Sequence, residues 1–273
     1  MRNPDRWQPT KFAETKHGLR ASRNPKCVAV QSRLITDLVA GQYERAIQAH
    51  CSGRLLDLGC GSAPLYAAYR PFISGGICAD WYNTLHNKDY LDAFVDLNQG
   101  LPFKGQAFDT VLLTDVLEHI AEPLQLIREI AGVLRPGGKL IVGVPFLYWL
   151  HEEPHDYYRY TKHALVRFCN LSDLTVIELS AYGGFLDVLV DISCKGFGML
   201  PAGSSFFRPV QFCWSALSRS AVGRKLSKAG RHQLPLGYVL VAQKQFAGAN
   251  GNPSGRSSTA FPQPTADRNA RPW

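Results

Sequence analysis

Two stretches of this sequence carry residue types and spacings suited to chemistry. HEEPHDYYRYT, residues 151–161, packs two histidines, three carboxylates, three tyrosines and an arginine into one short segment. Imidazole titrates near neutrality, so His151 or His155 could serve as a general base, with Asp156 close by. The same histidines could bind metal with Glu152 or Asp156, but the spacing matches no strong zinc motif and no metal is expected. The plainer alternative is a structural loop in which Arg159 pairs with an acid and the tyrosines pack. The second stretch is LLDLGCGSAPL, residues 55–65. An apolar run carries Asp57 into a turn in which Gly59 and Gly61 let the backbone bend with no Cβ in the way. Ala63 to Tyr69 is helix-compatible, and its N-terminus would add partial positive charge. The turn is expected to bring main-chain N–H groups to an acidic or strongly polar ligand. An ordinary strand-to-helix turn is the alternative.

These residues need a scaffold, and the apolar pattern supplies one. Leu34, Ile35, Leu38 and Val39 have helical spacing within residues 28–50. Short apolar runs predict strands at Leu55–Leu58, Gly76–Ala79, Ala93–Leu97, Thr110–Leu113, Leu140–Val144, Thr175–Leu179 and Tyr238–Gln243. Helices are predicted at Pro123–Leu134 and 161–170. Arg135-Pro136-Gly137-Gly138 stops the first of them, because proline and glycine cannot continue it. Strands alternating with helices imply an α/β fold, a seven-stranded, mainly parallel sheet with helices on both faces. Ligands in such sheets sit at the carboxyl ends of the strands, where the glycine turn falls.

The bulk numbers narrow the class. The chain has 273 residues, 45% hydrophobic and 19% charged, enough for one domain with decorations. The net charge of +8 is spread out with no long basic block, which favours a generally basic protein over a nucleic-acid binder. Seven scattered cysteines without a Cys-x-x-Cys pair fit reduced thiols in the cytoplasm. The first residues have no apolar core that would make a secretory signal, and no apolar run is long enough to span a membrane. The expected organisation is an irregular arm at 1–27, a domain at 28–246 with an insertion at 184–232, and a disordered tail at 247–273. Within the insertion, Val210, Cys213, Trp214 and Leu217 share a helical face, followed by Arg219, Arg224, Lys225, Lys228 and Arg231. Such a segment either packs on the core or rests peripherally, through 206–231, on the inner face of a membrane or over a greasy acceptor.

Asp80 ends the second strand about 20 residues past the glycine turn, the offset at which an acidic residue accepts both hydroxyls of a ribose. A dinucleotide fingerprint would need a third glycine where Pro64 stands, which argues against a nicotinamide or flavin enzyme. Asp96 ends the third strand in FVDLNQGLPF and could accept the exocyclic amine of adenine, with the N–H of Leu97 on a ring nitrogen. FDTVLLTDVLEHI and LRPGGKLIVGVP follow. This set, in this order, resembles the class I S-adenosylmethionine-dependent methyltransferases, and most closely their type 11 group, from about Leu55 to Phe146.

The resemblance implies a Rossmann-like three-layer sandwich and S-adenosylmethionine as cofactor. It implies that Gly59 and Gly61 approach the methionine part, that Asp57 supports the loop or meets the amino group, and that Asp115 lies beside the methionine end. It places Asp80 on the ribose and Asp96 on the adenine; Trp81 either lies along the adenine or packs. The family often has a third glycine where this chain has Ala63. Glu118 and His119, in the VLEHI motif, are expected to shape the wall of the cofactor site. The expected reaction is methyl transfer to a small molecule or a glycan or lipid intermediate, with oxygen preferred because His151, His155 and Asp156 offer bases. A methylated nucleic acid or protein is disfavoured, for want of an aromatic-basic stacking platform. A catalytically silent cofactor-binding module that regulates a partner is the alternative from another class.

Overall fold

The apolar run at Leu55 extends into a six-residue strand, Gly53–Leu58, whose last four residues are buried. It lies in the interior of the sheet of a computed structural model that describes residues 1–84, 86–198, 213, 216–217 and 220–246. In chain order the elements are β1 (Phe12–Thr15), β2 (Gly18–Ala21), α1 (Arg33–His50), β3 (Gly53–Leu58), α2 (Tyr66–Tyr69), β4 (Ile73–Asp80), β5 (Ala93–Phe94) and β6 (Phe108–Thr114). There follow α3 (Pro123–Val133), β7 (Leu134–Pro145), α4 (Lys162–Asn170), β8 (Leu174–Tyr182), α5 (Phe185–Gly198), α6 (Ala221–Gly230) and β9 (Gly237–Lys244). Seven strands form one sheet in the order β5-β4-β3-β6-β7-β9-β8. β9 pairs antiparallel with both of its neighbours, and the other pairings are parallel. The expected α/β sandwich is therefore the fold.

Alternation along the strands divides the core in two. Leu56, Leu58, Val111, Leu113, Leu140 and Val142 join the core that includes α3 and Leu165 of α4. Leu55, Leu112 and Ile141 join the core built on α1. Both faces of the central strands are covered, so they read as continuous apolar runs.

Several boundaries differ from expectation for local reasons. The helix expected from Ala63 is only the single turn Tyr66–Tyr69. Ala63 has φ +50°, and the Pro64 that follows excludes the right-handed helical region for it. The third strand stops at Phe94 instead of Leu97, because it pairs only through Ala79 and Asp80. The glycine-rich stop after α3 lies inside β7, which begins at Leu134. The arm is not irregular: β1 and β2 form an antiparallel hairpin. Phe12, Leu19 and Ala21 are buried, and Glu44 and Asp37 of α1 accept the N–H groups of Leu19 and Ala21 at 3.0 and 2.8 Å. Those anchors lie on another element, so the local sequence carries no trace of them.

The insertion starts as a packed element. Leu186, Val190 and Cys194 of α5 cluster with Leu34 of α1. Cys213 and Leu217 are exposed, while Val210, Trp214 and Arg219, with the tail at 247–273, lie outside the described residues. Among the described residues no helix is long and apolar enough to cross a membrane.

Gly143 sits near the carboxyl end of β7, where a Cβ would collide with the ring and hydroxyl of the buried Tyr43. Gly143→Ala is expected to cost about 1–3 kcal/mol by overpacking, read as a lowered urea midpoint at constant slope. A change below about 0.5 kcal/mol would mean that Tyr43 has room to retreat.

Candidate functional site

A cavity of about 600 Å³ opens where the carboxyl ends of β3, β6 and β7 meet the N-terminal arm. Asp57, Gly59 and Gly61 line it from the glycine turn, Asp115 and Glu118 from the segment after β6, and Tyr148, His151 and Glu152 from the segment after β7. Lys11, Phe12 and Cys27 close it from the arm. Its volume is in the ordinary range for a small-molecule site.

The glycine turn works differently from expectation. Gly59 and Gly61 have φ +65° and +53°, and a Cβ on either would run into Val116 or His86. Their amides point back into the fold. Gly59 and Cys60 donate to the Ala79 carbonyl at 2.8 and 3.2 Å, and Gly61 donates to Asp80 Oδ2 at 3.0 Å. In this state the glycines contribute open backbone surface, while β4 takes up these amides. Asp80 also accepts the Trp81 N–H at 2.8 Å and is 8% exposed. A carboxylate has about four acceptor positions, so capacity remains after these two bonds.

Three acids face the cavity, Asp57 and Glu118 buried and Asp115 half-buried, each tuned differently. Burial pushes the Asp57 carboxyl up to about 7; the Tyr69 hydroxyl opposes this and the charge of Asp80 adds to it. Asp115, at φ +55°, accepts from Lys11 Nζ at 2.7 Å and from the Tyr43 hydroxyl at 2.8 Å. Burial would raise it, yet the Lys11 ammonium and the Tyr43 hydroxyl hold it below the usual carboxylate range. Glu118 is fully buried, and neither carboxylate oxygen has a hydrogen-bond partner among the described residues. Burial, and then the charge of Asp115, push it well above the usual range.

The histidine-rich segment divides into an inner and an outer part. His151 lines the cavity, with Nδ1 3.3 Å from both Asp156 Oδ2 and the Trp149 carbonyl. Its Nε2 lies 3.8 Å from Glu118 Oε1. Burial, reinforced by His119, holds its pKa below the usual histidine value, so at neutral pH the ring is a neutral acceptor. Asp156 does not act as a base towards the cavity. Both its oxygens are taken by Arg159, at 2.5 and 2.7 Å, and it also accepts the His151 N–H at 3.0 Å. The Arg159 guanidinium bonds hold it well below the usual range. His155 is exposed, with Nδ1 3.0 Å from the Tyr157 hydroxyl and its ring edge-on to Trp81 at 5.6 Å. Asp156 and Arg159 thus form the ion pair of the structural-loop reading, while His151 lines the cavity.

Of the residues singled out in the sequence, Asp57, Gly59, Gly61, Asp115 and His151 converge on one cavity, and Asp80 joins them through Gly61. Trp81, Asp96, Leu97, His155 and Asp156 lie outside its lining. Asp96 is exposed and caps its own loop by accepting the Asn98 N–H at 3.0 Å. Lys11 and Tyr43 were not anticipated, because nothing in the arm or in α1 marks a partner for Asp115.

Asp57 generates a pH prediction. Its folded pKa lies above its unfolded value, so its contribution is intact below about 4 and is lost as pH rises through about 7. Asp57→Asn should therefore melt higher than wild type at pH 8, with the gap closing towards pH 4. Parallel melting curves across that range would contradict the buried, uncompensated carboxyl.

Comparison with known proteins places the chain. Residues 31–183, more than half its length, match the family model described as a methyltransferase domain. An uncharacterized protein of Methanocaldococcus jannaschii is 29% identical over 148 residues, 52% of this chain and 70% of that one. A ubiquinone biosynthesis O-methyltransferase of Parvibaculum lavamentivorans is 27% identical over 145 residues, 44% of this chain and 57% of that one. A ubiquinone/menaquinone biosynthesis C-methyltransferase of Vibrio campbellii is 29% identical over 155 residues, 49% and 56% respectively. The chain thus spans little more than half the length of these named enzymes. In fold it is similar to a Galdieria sulphuraria protein provisionally named a sarcosine dimethylglycine methyltransferase, with TM-score 0.51 and 13% identity over 87% of this chain and 92% of that one. The chain belongs to the methyltransferase-domain family, among its class I S-adenosylmethionine-dependent members.

Proposed function

We propose that the protein methylates an oxygen of a small-molecule acceptor, or of a glycan or lipid intermediate, with the Glu118–His151 wall of the cavity facing that acceptor. The observation that carries this reading is the imidazole of His151, its Nδ1 turned to Asp156 and its Nε2 to Glu118, in the same cavity as Asp57 and the glycine turn. The relatives' names include both O- and C-methyltransferases, so they leave the atom open. An acceptor hydroxyl must lose its proton, whereas many other acceptors need not, and His151 supports the former.

The cavity suits the cofactor. Its lining is rich in acids, which favours a ligand carrying an ammonium and a sulfonium, and the bare Gly59–Gly61 backbone leaves room that a Cβ would fill. On this reading Asp57 meets the amino group, Gly59 and Gly61 flank the methionine part, and Asp115 lies beside it. Asp80 takes the ribose with its remaining acceptor positions, and Asp96 and the Leu97 N–H take the adenine with Trp81 alongside. When bound, S-adenosylmethionine supplies an electrophilic methyl group. The chain's own contribution is to align the acceptor, exclude water with the arm, and receive or disperse a proton at the His151 wall. Seven free cysteines support placement in the reducing cytoplasm.

The test is calorimetric titration with S-adenosylmethionine, followed by labelled-methyl turnover on a panel of hydroxylated acceptors. Asp80→Ala should weaken cofactor affinity about tenfold or more, the scale of a lost hydrogen bond to a charged group. His151→Gln should keep that affinity and lower turnover by about 10²–10⁴-fold. Full turnover in His151→Gln on the best acceptor would overturn the assignment of this wall to the acceptor.

A further inference from the structure

Four metal-competent side chains meet at this wall, from two segments far apart in sequence. Glu118 and His119 follow β6; His151 and Glu152 follow β7. The Nε2 atoms of His119 and His151 each lie 3.8 Å from Glu118 Oε1, and Glu152 Oε2 lies 3.9 Å from His119 Nε2. One ligand atom from each of Glu118, His119 and His151 falls within 4.8 Å of the other two. These separations are too long for hydrogen bonds. Ligands about 2.1 Å from a shared ion sit roughly 3–3.4 Å apart. The pairs at 3.8 Å must therefore close by several tenths of an ångström, separations up to 4.8 Å by more than one, and the exposed Glu152 side chain must swing in to join them.

The hydrogen bonds behind the rings fix which nitrogen carries the proton. His119 Nδ1 lies 2.8 Å from the His155 carbonyl, which can only accept. His151 Nδ1 faces the Asp156 carboxylate and the Trp149 carbonyl, again acceptors. Both protons therefore sit on Nδ1, and both Nε2 lone pairs face Glu118. Glu118 brings two buried oxygens without a partner. The two ring lone pairs and the Glu118 carboxyl oxygens converge here, while outer carbonyls and a carboxylate orient the rings, as they do behind metal-bound histidines.

We propose that Glu118, His119, His151 and Glu152 bind one divalent transition-metal cation at the acceptor wall of the cavity. Two imidazoles with two carboxylates suit a first-row transition ion better than an all-oxygen set would. Glu118, His151 and Glu152 line the cavity, so positions left open on the ion face the acceptor. An acceptor hydroxyl bound there would ionise, its proton leaving to solvent and its oxygen electron pair becoming available to form the C–O bond as the methyl–sulfur bond breaks. The wall then acts through the cation, with His151 as its ligand in place of a free base. This use rests on the acceptor-side reading above; metal binding itself does not.

The test uses the full chain stripped with chelator and titrated with Co²⁺, read by visible absorption and calorimetry, with S-adenosylmethionine titrated separately. The expected result is one Co²⁺ per chain, an affinity at least about tenfold weaker in His119→Gln and in His151→Gln, and S-adenosylmethionine affinity within about twofold of wild type in both. Wild type binding Co²⁺ no more tightly than the His119→Gln/His151→Gln double variant would overturn the site. Should the variants unfold, wild type decides alone: absence of a saturable one-to-one spectral change overturns it. Co²⁺ binding with no loss of turnover on removing the ion would keep the site and overturn its role in ionising the acceptor; turnover lost on removal and restored by Co²⁺ would support both.

Discussion

The grip of Asp115 on Lys11 and Tyr43 ties together the parts that make this cavity. A half-buried carboxylate just past the end of β6 is costly unless it is paired and hydrogen-bonded. Here one oxygen takes an ammonium from the N-terminal arm and the other a hydroxyl from α1. The bond from α1 requires Tyr43 to cross β7, and Gly143 supplies the gap. The bond from the arm requires a seated hairpin, and Glu44 and Asp37 hold it by its backbone. A site at the end of the sheet thus depends on contacts made by residues 11 to 44, far from the glycine turn in sequence.

Once Asp115 is satisfied, its neighbours are not. Asp57 is buried with its carboxyl raised, and Glu118 is buried with both oxygens unpartnered. One lysine bonded to one acid leaves a cavity whose remaining acids call for positive charge from outside the chain. That demand is met at two places on the proposed reading. At the glycine turn the cofactor's cationic end neutralises Asp57. At the far wall a divalent cation neutralises Glu118 and Glu152. On that reading, ligands that offset the cost of burying Asp57 and Glu118 bind where the cost arises, which couples ligand binding to stability.

The parts of this arrangement that were legible in the sequence are those encoded over a few residues. The run through Leu58 into Gly59 and Gly61, the acid at Asp80 and the helix at Pro123 each depend on neighbours along the chain, and each formed where expected. What was hidden depends on pairing across the fold. The hairpin at Phe12–Ala21 owes its amide partners to α1, so its own residues look irregular. Ala63 was read as the start of a helix, but Pro64 after it and its own left-handed backbone end that reading. The loop at 151–161 showed its chemistry but not its division. Arg159 captured Asp156, His155 turned outward to Trp81, and only His151 and Glu152 faced in. No spacing rule along one segment could pair His151 with Glu118 and His119, because the sheet brings them together.

The same division gives Asp156 a purpose that its lack of contact with the cavity would seem to deny. Held by two bonds to Arg159, it stays ionised across the working pH range and presents a fixed acceptor to His151 Nδ1. A fixed acceptor there forces the ring proton away from Nε2, whichever chemistry Nε2 performs. If it serves as a base, it must be unprotonated; if it ligates a cation, it must be unprotonated too. Arg159 in turn is held by the carbonyls of Tyr148, Trp149 and Tyr158, which bind the guanidinium to the loop's own backbone. The backbone conformation of this loop therefore sets the tautomer of His151 at the cavity wall. A substitution at Arg159 would disturb that tautomer without touching any ligand in the cavity.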